Sequence, residues 1–373
     1  MTVIISSLAF ILLLSLLILI HEWGHFAAAR KFGVEVEEFG FGLPPRAKTL
    51  FSRAGTDFTL NWIPFGGFVR LKGENALTER ERRSPGSFSA ASIPSRIVIL
   101  LAGVFMNLVL AVALLTVGFS VGRWVPTFMT FEEMEQASTR GEIHLVMGVL
   151  IDEVMSSGGA AKAGIPAKSL LRSINGLPVT RLEDVLKIQE GKTRVTYEVS
   201  RVTGRSVSDT VEEFSVTLAQ GKSGVSVVPF ALELSAPAHS VVQAFLLAMR
   251  EARIMTVQTV IGIGNLFSSL AMTGTVPEGI AGIVGIAQLT HVSVQEGFMH
   301  YLRLVALLSL SLAVLNVLPF PALDGGRVLF VLAEAIRRRP LNRRLEVVTN
   351  AVGFTILILL IVLITFHDIV SLF

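Results

Sequence analysis

The sequence predicts a polytopic α-helical membrane protein that carries a soluble α+β domain. Of its 373 residues, 51% are hydrophobic and only 16% are charged, and the mean hydropathy is +0.65. Soluble globular domains carry about 25% charged residues, so an ordinary soluble protein is excluded. Low charge combined with high hydrophobicity also excludes a disordered chain. Part of this chain is therefore expected to lie in lipid.

Four uncharged apolar stretches are long enough to cross a bilayer, which needs about 20 helical residues. They comprise residues 3–20, 97–122, 304–323 and 347–366. The first stretch has the position of a signal peptide, but no basic segment precedes it and its apolar core is longer than such peptides carry. We therefore expect it to remain as a helix, which gives four transmembrane helices.

Basic residues predict the orientation of these helices. Arg and Lys are concentrated between residues 30 and 96 and again between residues 337 and 344. Loops rich in Arg and Lys face the cytoplasm, so both chain ends and the long middle segment are predicted to be extracytoplasmic. These loops also explain the net charge of +3 better than a nucleic-acid partner does.

A fifth apolar region, residues 254–290, is interrupted by several glycines and a proline. A fifth span would place the two basic loops on opposite sides of the membrane. We therefore interpret this region as an amphipathic or re-entrant segment at the outer surface.

The pattern His-Glu-x-x-His, formed by His21, Glu22 and His25, stands at the end of the first apolar stretch. Residues four apart share one face of a helix, so both histidines can reach one zinc ion while Glu22 acts on water at the metal. The alternative is that these residues only begin the cytoplasmic surface, with solvated or capping histidines. The chain has no cysteine, so a metal site would use histidines and carboxylates.

Asp324 is the candidate for the third protein ligand that a catalytic zinc needs. It lies 20 residues past the start of the third apolar stretch, and His21 lies 18 residues past the start of the first. At about 1.5 Å per residue, both side chains come near the inner ends of spans that run in the same direction. Pro319 and Pro321 must break the third helix and can alter its rise by several ångströms, but the agreement in depth survives such a change. The alternative is a turn aspartate before two glycines.

Further motifs accompany these residues. The third stretch ends in Asn316-x-x-Pro319-x-Pro321-x-Leu323-Asp324-Gly325, residues 36–42 and 63–69 form a Gly- and Phe-rich pair, and Arg96 precedes Ala102-Gly103-x-x-x-Asn107. Together with the His-Glu-x-x-His helix, they resemble the site-2 protease family, specifically the bacterial RseP-type intramembrane zinc metalloproteases. The resemblance covers nearly the whole chain. It departs at Val104 and Ile283, where the family usually has proline or Gly-Pro, and neither position belongs to the candidate ligands.

The middle segment adds a PDZ-like insert to the resemblance. Residues 195–199 and 213–218 are strand-like, and residues 159–165 and 173–179 look like a protease-associated PDZ domain with Lys168 and Ser169 in place of the usual Gly-Asp. Such a domain either binds an extended or C-terminal peptide or excludes large substrates by size.

The resemblance implies Zn²⁺ as cofactor, held by His21, His25 and Asp324, with Glu22 as the catalytic base and proton donor. It also implies that Asn316 and Pro319 hold the substrate, although Pro319 and Pro321 are explained equally well as a helix stop. Residues 36–42 and 63–69 correspond to the family's membrane-associated β-hairpin on the cytoplasmic side. An extended substrate could pair with an edge strand at residues 57–61 or 66–70. The substrate-binding candidates are therefore Asn316, Pro319, Gly66, Gly67 and Phe68.

The expected function is cleavage within the transmembrane segments of single-span proteins after a first extracytoplasmic cut, on substrates such as anti-sigma factors or remnant signal peptides. A catalytically inactive scaffold that acts through its PDZ domain and a metal- or proton-coupled transporter are the alternatives. The expected location is the bacterial inner membrane, with both termini extracytoplasmic and the active site near the cytoplasmic face. The expected partners are transmembrane substrates, the lipid bilayer and a peptide ligand of the PDZ domain.

Four regions follow from these predictions. Residues 1–122 hold the first two helices and the β-hairpin, and residues 123–235 hold the PDZ-containing domain with its core at about 143–219. Residues 236–303 form the connecting segment, and residues 304–373 hold the last two helices.

Overall fold

The long apolar stretches of the sequence form helices in the computed structural model, which describes residues 2–74, 78–127, 129–203, 206–277, 279–339 and 341–371. The chain divides into two units. Met1–Gly122 and His239–Phe373 form the first unit, and Arg123–Ala238 form the second.

The elements follow in chain order. The helices are α1 (Thr2–Lys31), α2 (Glu79–Arg82), α3 (Ile93–Ser120), α4 (Phe131–Thr139), α5 (Gly159–Ala163), α6 (Leu182–Gln189), α7 (Val241–Met272), α8 (Ile283–Glu296), α9 (Phe298–Val317), α10 (Asp324–Arg337) and α11 (Arg343–Val370). The strands are β1 (Val36–Arg53), β2 (Thr56–Leu71), β3 (His144–Val154), β4 (Ser169–Ile174), β5 (Leu177–Pro178), β6 (Arg194–Thr203), β7 (Ser206–Val207), β8 (Glu212–Thr217) and β9 (Val225–Ser235).

In the described part of the chain, five helices are long and apolar enough to cross a membrane, namely α1, α3, α7, α9 and α11. Four of them contain most or all of the predicted stretches. The fifth, α7, runs without a break through Gly262 and Gly264, so the interruption expected at these glycines was wrong. A glycine inside a helix costs only about 1 kcal/mol, which the rest of a 32-residue helix offsets. Length and composition therefore do not confirm the count of four.

The two ends of α7 lie beside the C-terminal ends of two other long helices, α3 and α11. Where α7 begins, the His239 N–H donates to the Phe119 carbonyl in the last turn of α3, at 3.3 Å. Near its end, Leu266 packs in an apolar cluster with Ile364, two turns before the end of α11. The starting ends of α3 and α11 meet at Glu334, which accepts from Arg96 at 2.6 Å and from the Leu341 N–H at 3.0 Å.

The helix of the third predicted span ends six residues earlier than expected. α9 stops at Val317, and residues 318–323 form a turn before α10 begins at Asp324. The two prolines of this turn lack the N–H groups that would continue the helix. Gly325 packs against the last carbonyls of α9, where a Cβ would collide. The turn therefore holds Asp324 close to the end of α9.

The β-hairpin folds back on itself and gives four paired segments. Residues 36–41 pair with residues 67–71 on one side and with residues 57–60 on the other, and residues 57–61 also pair with residues 46–53. β1 turns back at Gly42, whose φ of +80° favours glycine. Of the two alternative edges predicted, residues 57–61 are therefore an inner segment, whereas residues 67–70 of the second alternative pair on one side only within the described part of the chain.

Glu38 connects its own segment to the other three from a position that is 3% exposed. Its carboxylate accepts from Arg46 Nη2 at 2.7 Å, from Arg70 Nη2 at 2.7 Å and from Thr59 Oγ1 at 2.8 Å. Burial alone would raise the pKa of this carboxyl. The two arginines and the hydroxyl outweigh burial, and the pKa of Glu38 lies below its usual value.

The second unit is a small α+β fold. Its strands follow the order β7-β6-β4-β3-β9, with β5 paired to β4 and β8 paired to β6. The core includes Ile151, Leu171, Tyr197 and Val216, all fully or almost fully buried. β9 lies beyond the core expected at residues 143–219 but belongs to the same sheet through its long pairing with β3.

Candidate metal centre

Two glycines let α1 and α3 approach closely at the centre of the first unit. A Cβ at Gly24 would collide with the Ala102 carbonyl of α3. A Cβ at Gly103 would lie 2.6 Å from His25 Nε2 and 2.8 Å from His21 Nε2. The two imidazole rings therefore lie directly against the backbone of α3, as small residues allow between membrane helices.

Three ligand atoms converge beside this contact. His21 Nε2 lies 2.9 Å from Asp324 Oδ2, His25 Nε2 lies 3.3 Å from the same oxygen, and the two nitrogens are 3.1 Å apart. Zinc binds nitrogen and oxygen ligands at about 2.0–2.2 Å, which places two tetrahedral ligands about 3.3 Å apart. The three separations are close to those of a zinc ligand triangle, and both histidines are buried.

The other ring nitrogens of both histidines have partners. His25 Nδ1 lies 2.8 Å from the Ile99 carbonyl, which can only accept, so this nitrogen carries the proton and Nε2 keeps its lone pair for a metal.

His21 Nδ1 lies 3.3 Å from the side-chain amide of Asn107, a fully buried residue. With the amide nitrogen facing the ring, the Asn107 oxygen has no partner among the described residues. The opposite amide orientation lets the Asn107 oxygen accept from His21 Nδ1–H, which leaves the lone pair of His21 Nε2 available.

The candidate ligands lie between two apolar clusters of the first unit. One cluster joins α1 and α9 through Leu13, Leu17 and Val305, and the other joins α1, α3 and α10 through Ala29, Ile99 and Val331. The ligand triangle thus lies within a packed helix bundle, where burying charged groups without partners is costly.

Glu22 lies next to the ligand triangle. Its Oε2 accepts from the Val69 N–H of β2 at 3.0 Å. The residue lines two cavities of about 230 and 280 Å³, both of which also expose His21 and Asp324. The carboxylate therefore reaches open space on either side of the candidate ligands.

The predicted substrate-binding residues lie at different distances from this site. Asn316 lines the smaller cavity with His21 and Asp324, and Phe68 lines the larger one. Gly66 and Gly67 pack on α1 one turn before the histidines, where a Cβ would lie 3.0 Å from Ile18 Cδ1 and 2.8 Å from Leu19 Cδ2, respectively. Pro319 is exposed in the turn after α9 and lines neither cavity.

An ion pair lines the larger cavity but not the smaller one. Arg327, one turn after Asp324 on α10, pairs with Glu74 behind the β-hairpin. Glu74 Oε2 also accepts from the Leu71 N–H at 3.4 Å. The outward N–H groups of the edge strand are thus held by two glutamates, Glu22 at Val69 and Glu74 at Leu71.

Sequence reasoning assigned no role to Asn107 or Gly103, although it quoted both within a motif. A polar amide in the middle of an apolar helix is a signal that could have identified Asn107. No comparable signal existed for Gly103, because its role depends on which face of α3 meets the histidines.

Comparison with known proteins places the chain among metallopeptidases. The family model described as peptidase family M50 matches residues 9–360. A Clostridium perfringens protein named "putative zinc metalloprotease" is 31% identical over 99% of this chain and 99% of its own length. Proteins of Campylobacter jejuni and Nostoc with the same kind of name are 29% and 30% identical, over 98% and 95% of this chain and 93% of each relative. The chain therefore belongs to peptidase family M50, the site-2 proteases, and is a membrane zinc metalloprotease.

Proposed function

We propose that this protein cleaves transmembrane segments of single-span membrane proteins after a first cut has removed their outer domains. His21, His25 and Asp324 would hold the zinc ion and Glu22 would act as general base. The observation that carries the proposal is the convergence of three ligand atoms within 3.3 Å of one another, two of them on buried histidines, with Glu22 beside them.

The donor set fits zinc. Two imidazole nitrogens and one carboxylate oxygen leave the fourth tetrahedral position open, as catalytic zinc sites require. When bound, Zn²⁺ polarises the scissile carbonyl and acidifies water. Ile99 and Asn107 hold the rings from behind, which fixes their orientation before substrate arrives.

Glu22 would accept and then donate the proton that moves during the reaction. Its carboxylate faces both cavities and can take a proton from the attacking water. The same group can return the proton to the leaving amine nitrogen. The N–H of Val69 orients one oxygen and leaves the other available.

The substrate would bind as an extended strand beside the site. The backbone of a transmembrane helix is satisfied internally, so the segment must unwind before it can be cut. Residues 67–71 form an edge of the hairpin next to Glu22, and a substrate strand would replace Glu74 at the Leu71 N–H while the Val69 N–H stays with Glu22. Gly66 and Gly67 let this edge lie close to α1. Asn316 would hold the substrate across the smaller cavity, and Phe68 would contact it in the larger cavity. Pro319 would act indirectly, by shaping the turn that precedes Asp324.

The proposed topology has four spans, α1, α3, α9 and α11, with the metal centre near the cytoplasmic face. The contacts of α7 support this count, because both of its ends lie beside the ends of α3 and α11 that are remote from Glu334. A helix that crossed the membrane would have its ends on opposite sides, so α7 would lie along the outer surface. The second unit would then be extracytoplasmic, as a PDZ domain that binds peptide or excludes large substrates, in a bacterial inner membrane.

The test uses the full-length protein in detergent with a single-span model substrate. Wild-type protein is expected to give two fragments cut within the apolar segment, and a zinc chelator is expected to stop the cleavage. Glu22→Gln should retain one zinc per chain and lose at least about 100-fold in rate. Asp324→Asn should lose zinc as well, whereas the exposed Glu190→Gln should match wild type. Wild-type activity in Glu22→Gln would refute the assignment, and a zinc-loaded wild type without cleavage would favour a scaffold.

A further inference from the structure

A basic cavity of about 520 Å³ lies where the end of α10 meets the start of α3. We call it the arginine pocket, and its charged lining consists of Arg82, Arg83, Arg96, Arg338, Arg339 and Glu334. Its volume falls within the range of ligand pockets, roughly 300–1,000 Å³. Five guanidinium groups and one carboxylate line it.

Glu334 does not neutralise this pocket. One of its oxygens accepts from Arg96 at 2.6 Å, and the other accepts from Arg82 at 3.5 Å and from the Leu341 N–H at 3.0 Å. Through its contact with Arg96, the Glu334 carboxylate holds α10 against α3. Within the part of the chain that the structure describes, Arg338 and Arg339 have no carboxylate at ion-pairing distance. The cavity therefore suits an anion that several guanidinium groups can contact together.

The surface next to the pocket is apolar. Leu329, Leu332 and Ile336 lie on α10 at helical spacing and are 47%, 40% and 83% exposed. They form a stripe that ends next to Arg338. A ligand that satisfies both surfaces has a phosphate head and hydrocarbon tails, whereas a free phosphate would leave the stripe uncovered.

We propose that the arginine pocket binds the phosphate head of an anionic phospholipid, whose acyl chains lie along Leu329, Leu332 and Ile336 of α10. Basic pockets at the cytoplasmic ends of membrane helices bind such heads through charge and hydrogen bonds. Because Asp324 begins the same helix, the bound lipid would also restrain the helix that carries this candidate ligand of the metal.

The test measures binding to the full-length protein in neutral detergent. Short-chain phosphatidylglycerol, phosphatidylcholine with the same chains, and inorganic phosphate are each titrated, and the apparent Kd is obtained from the rise in thermal unfolding midpoint. Arg338→Gln/Arg339→Gln removes two pocket charges that pair with no carboxylate among the described residues. Lys48→Gln/Arg53→Gln removes two exposed charges from the β-hairpin and is the matched control.

Phosphatidylglycerol is expected to bind saturably, with phosphatidylcholine and inorganic phosphate much weaker. The pocket variant should bind phosphatidylglycerol about 30-fold more weakly, since each basic residue contributes about a factor of five. The hairpin control should keep the wild-type affinity. Equal binding of the two lipids, an equal loss in both variants, or inorganic phosphate as tight as phosphatidylglycerol would each overturn the proposal.

Discussion

Gly103→Ala tests whether the contact between α3 and the histidines sets the metal geometry. The added Cβ would lie 2.6 Å from His25 Nε2, whereas ordinary contact begins at 3.4 Å, so this nitrogen must retreat by about 0.8 Å. The corresponding distance to His21 Nε2 is 2.8 Å, which requires a shift of about 0.6 Å. Metal sites tolerate ligand displacements of about 0.2 Å. We therefore expect at least a 10- to 100-fold loss of zinc affinity and a comparable loss of cleavage.

The assay compares zinc content and cleavage rate in monodisperse protein. Gly262→Ala is the matched control, because it makes the same change inside a long apolar helix where no atom lies within 4 Å of the new Cβ. That control should keep zinc and activity, and its helix should gain up to about 1 kcal/mol. If Gly103→Ala binds one zinc with wild-type affinity and cleaves normally, the reasoning from the close contact is refuted.

Three further variants address the groups that support the site and the fold. Asn107→Leu should lower zinc affinity about 10- to 100-fold in a chelator competition, because it removes the group that orients His21; unchanged affinity would exclude that role. The folded pKa of Glu38 lies below its unfolded value of about 4.3, so the stability it contributes is present above that pH and is lost as the pH falls through the folded pKa. The unfolding midpoint should therefore fall less steeply in Glu38→Gln as the pH is lowered below about 4.3, and an unchanged slope would contradict this. Asp368→Ala removes the acceptor of two N–H groups at the start of α8, at a cost of about 1–3 kcal/mol, so hydrogen exchange there should accelerate but stay unchanged in α9.

The residues of the candidate metal site could be predicted because each depends on a local rule. The i, i+4 spacing of His21 and His25 fixes their common face on any helix. The depth of Asp324 in the membrane was predicted from the rise per residue of two spans that run in the same direction. α9 ends earlier than predicted, but Asp324 still lies beside the histidines because the turn after α9 is compact.

The β-hairpin could not be predicted in the same way. Residues 57–61 and 67–71 have similar strand-like composition, and only the reversal at Gly42 decides which of them becomes an edge. Such a reversal depends on non-local pairing, which alternation along one strand does not encode. The continuity of α7 was misjudged for a related reason, because the cost of a helical glycine is small compared with the packing that the rest of the helix gains.

The partners of the buried charges distinguish the candidate metal site from the structural ion pairs around it. Glu38 and Glu334 each accept from two arginines, so their charges are neutralised within the protein. His21, His25 and Asp324 instead direct two nitrogen lone pairs and a carboxylate oxygen at one point, and the 3.1 Å between the nitrogens leaves room for at most one proton. Three acceptors converging inside a helix bundle repel one another unless a cation lies between them. A buried carboxylate between arginines therefore serves the fold, whereas this convergence of acceptors is the arrangement expected of a metal site.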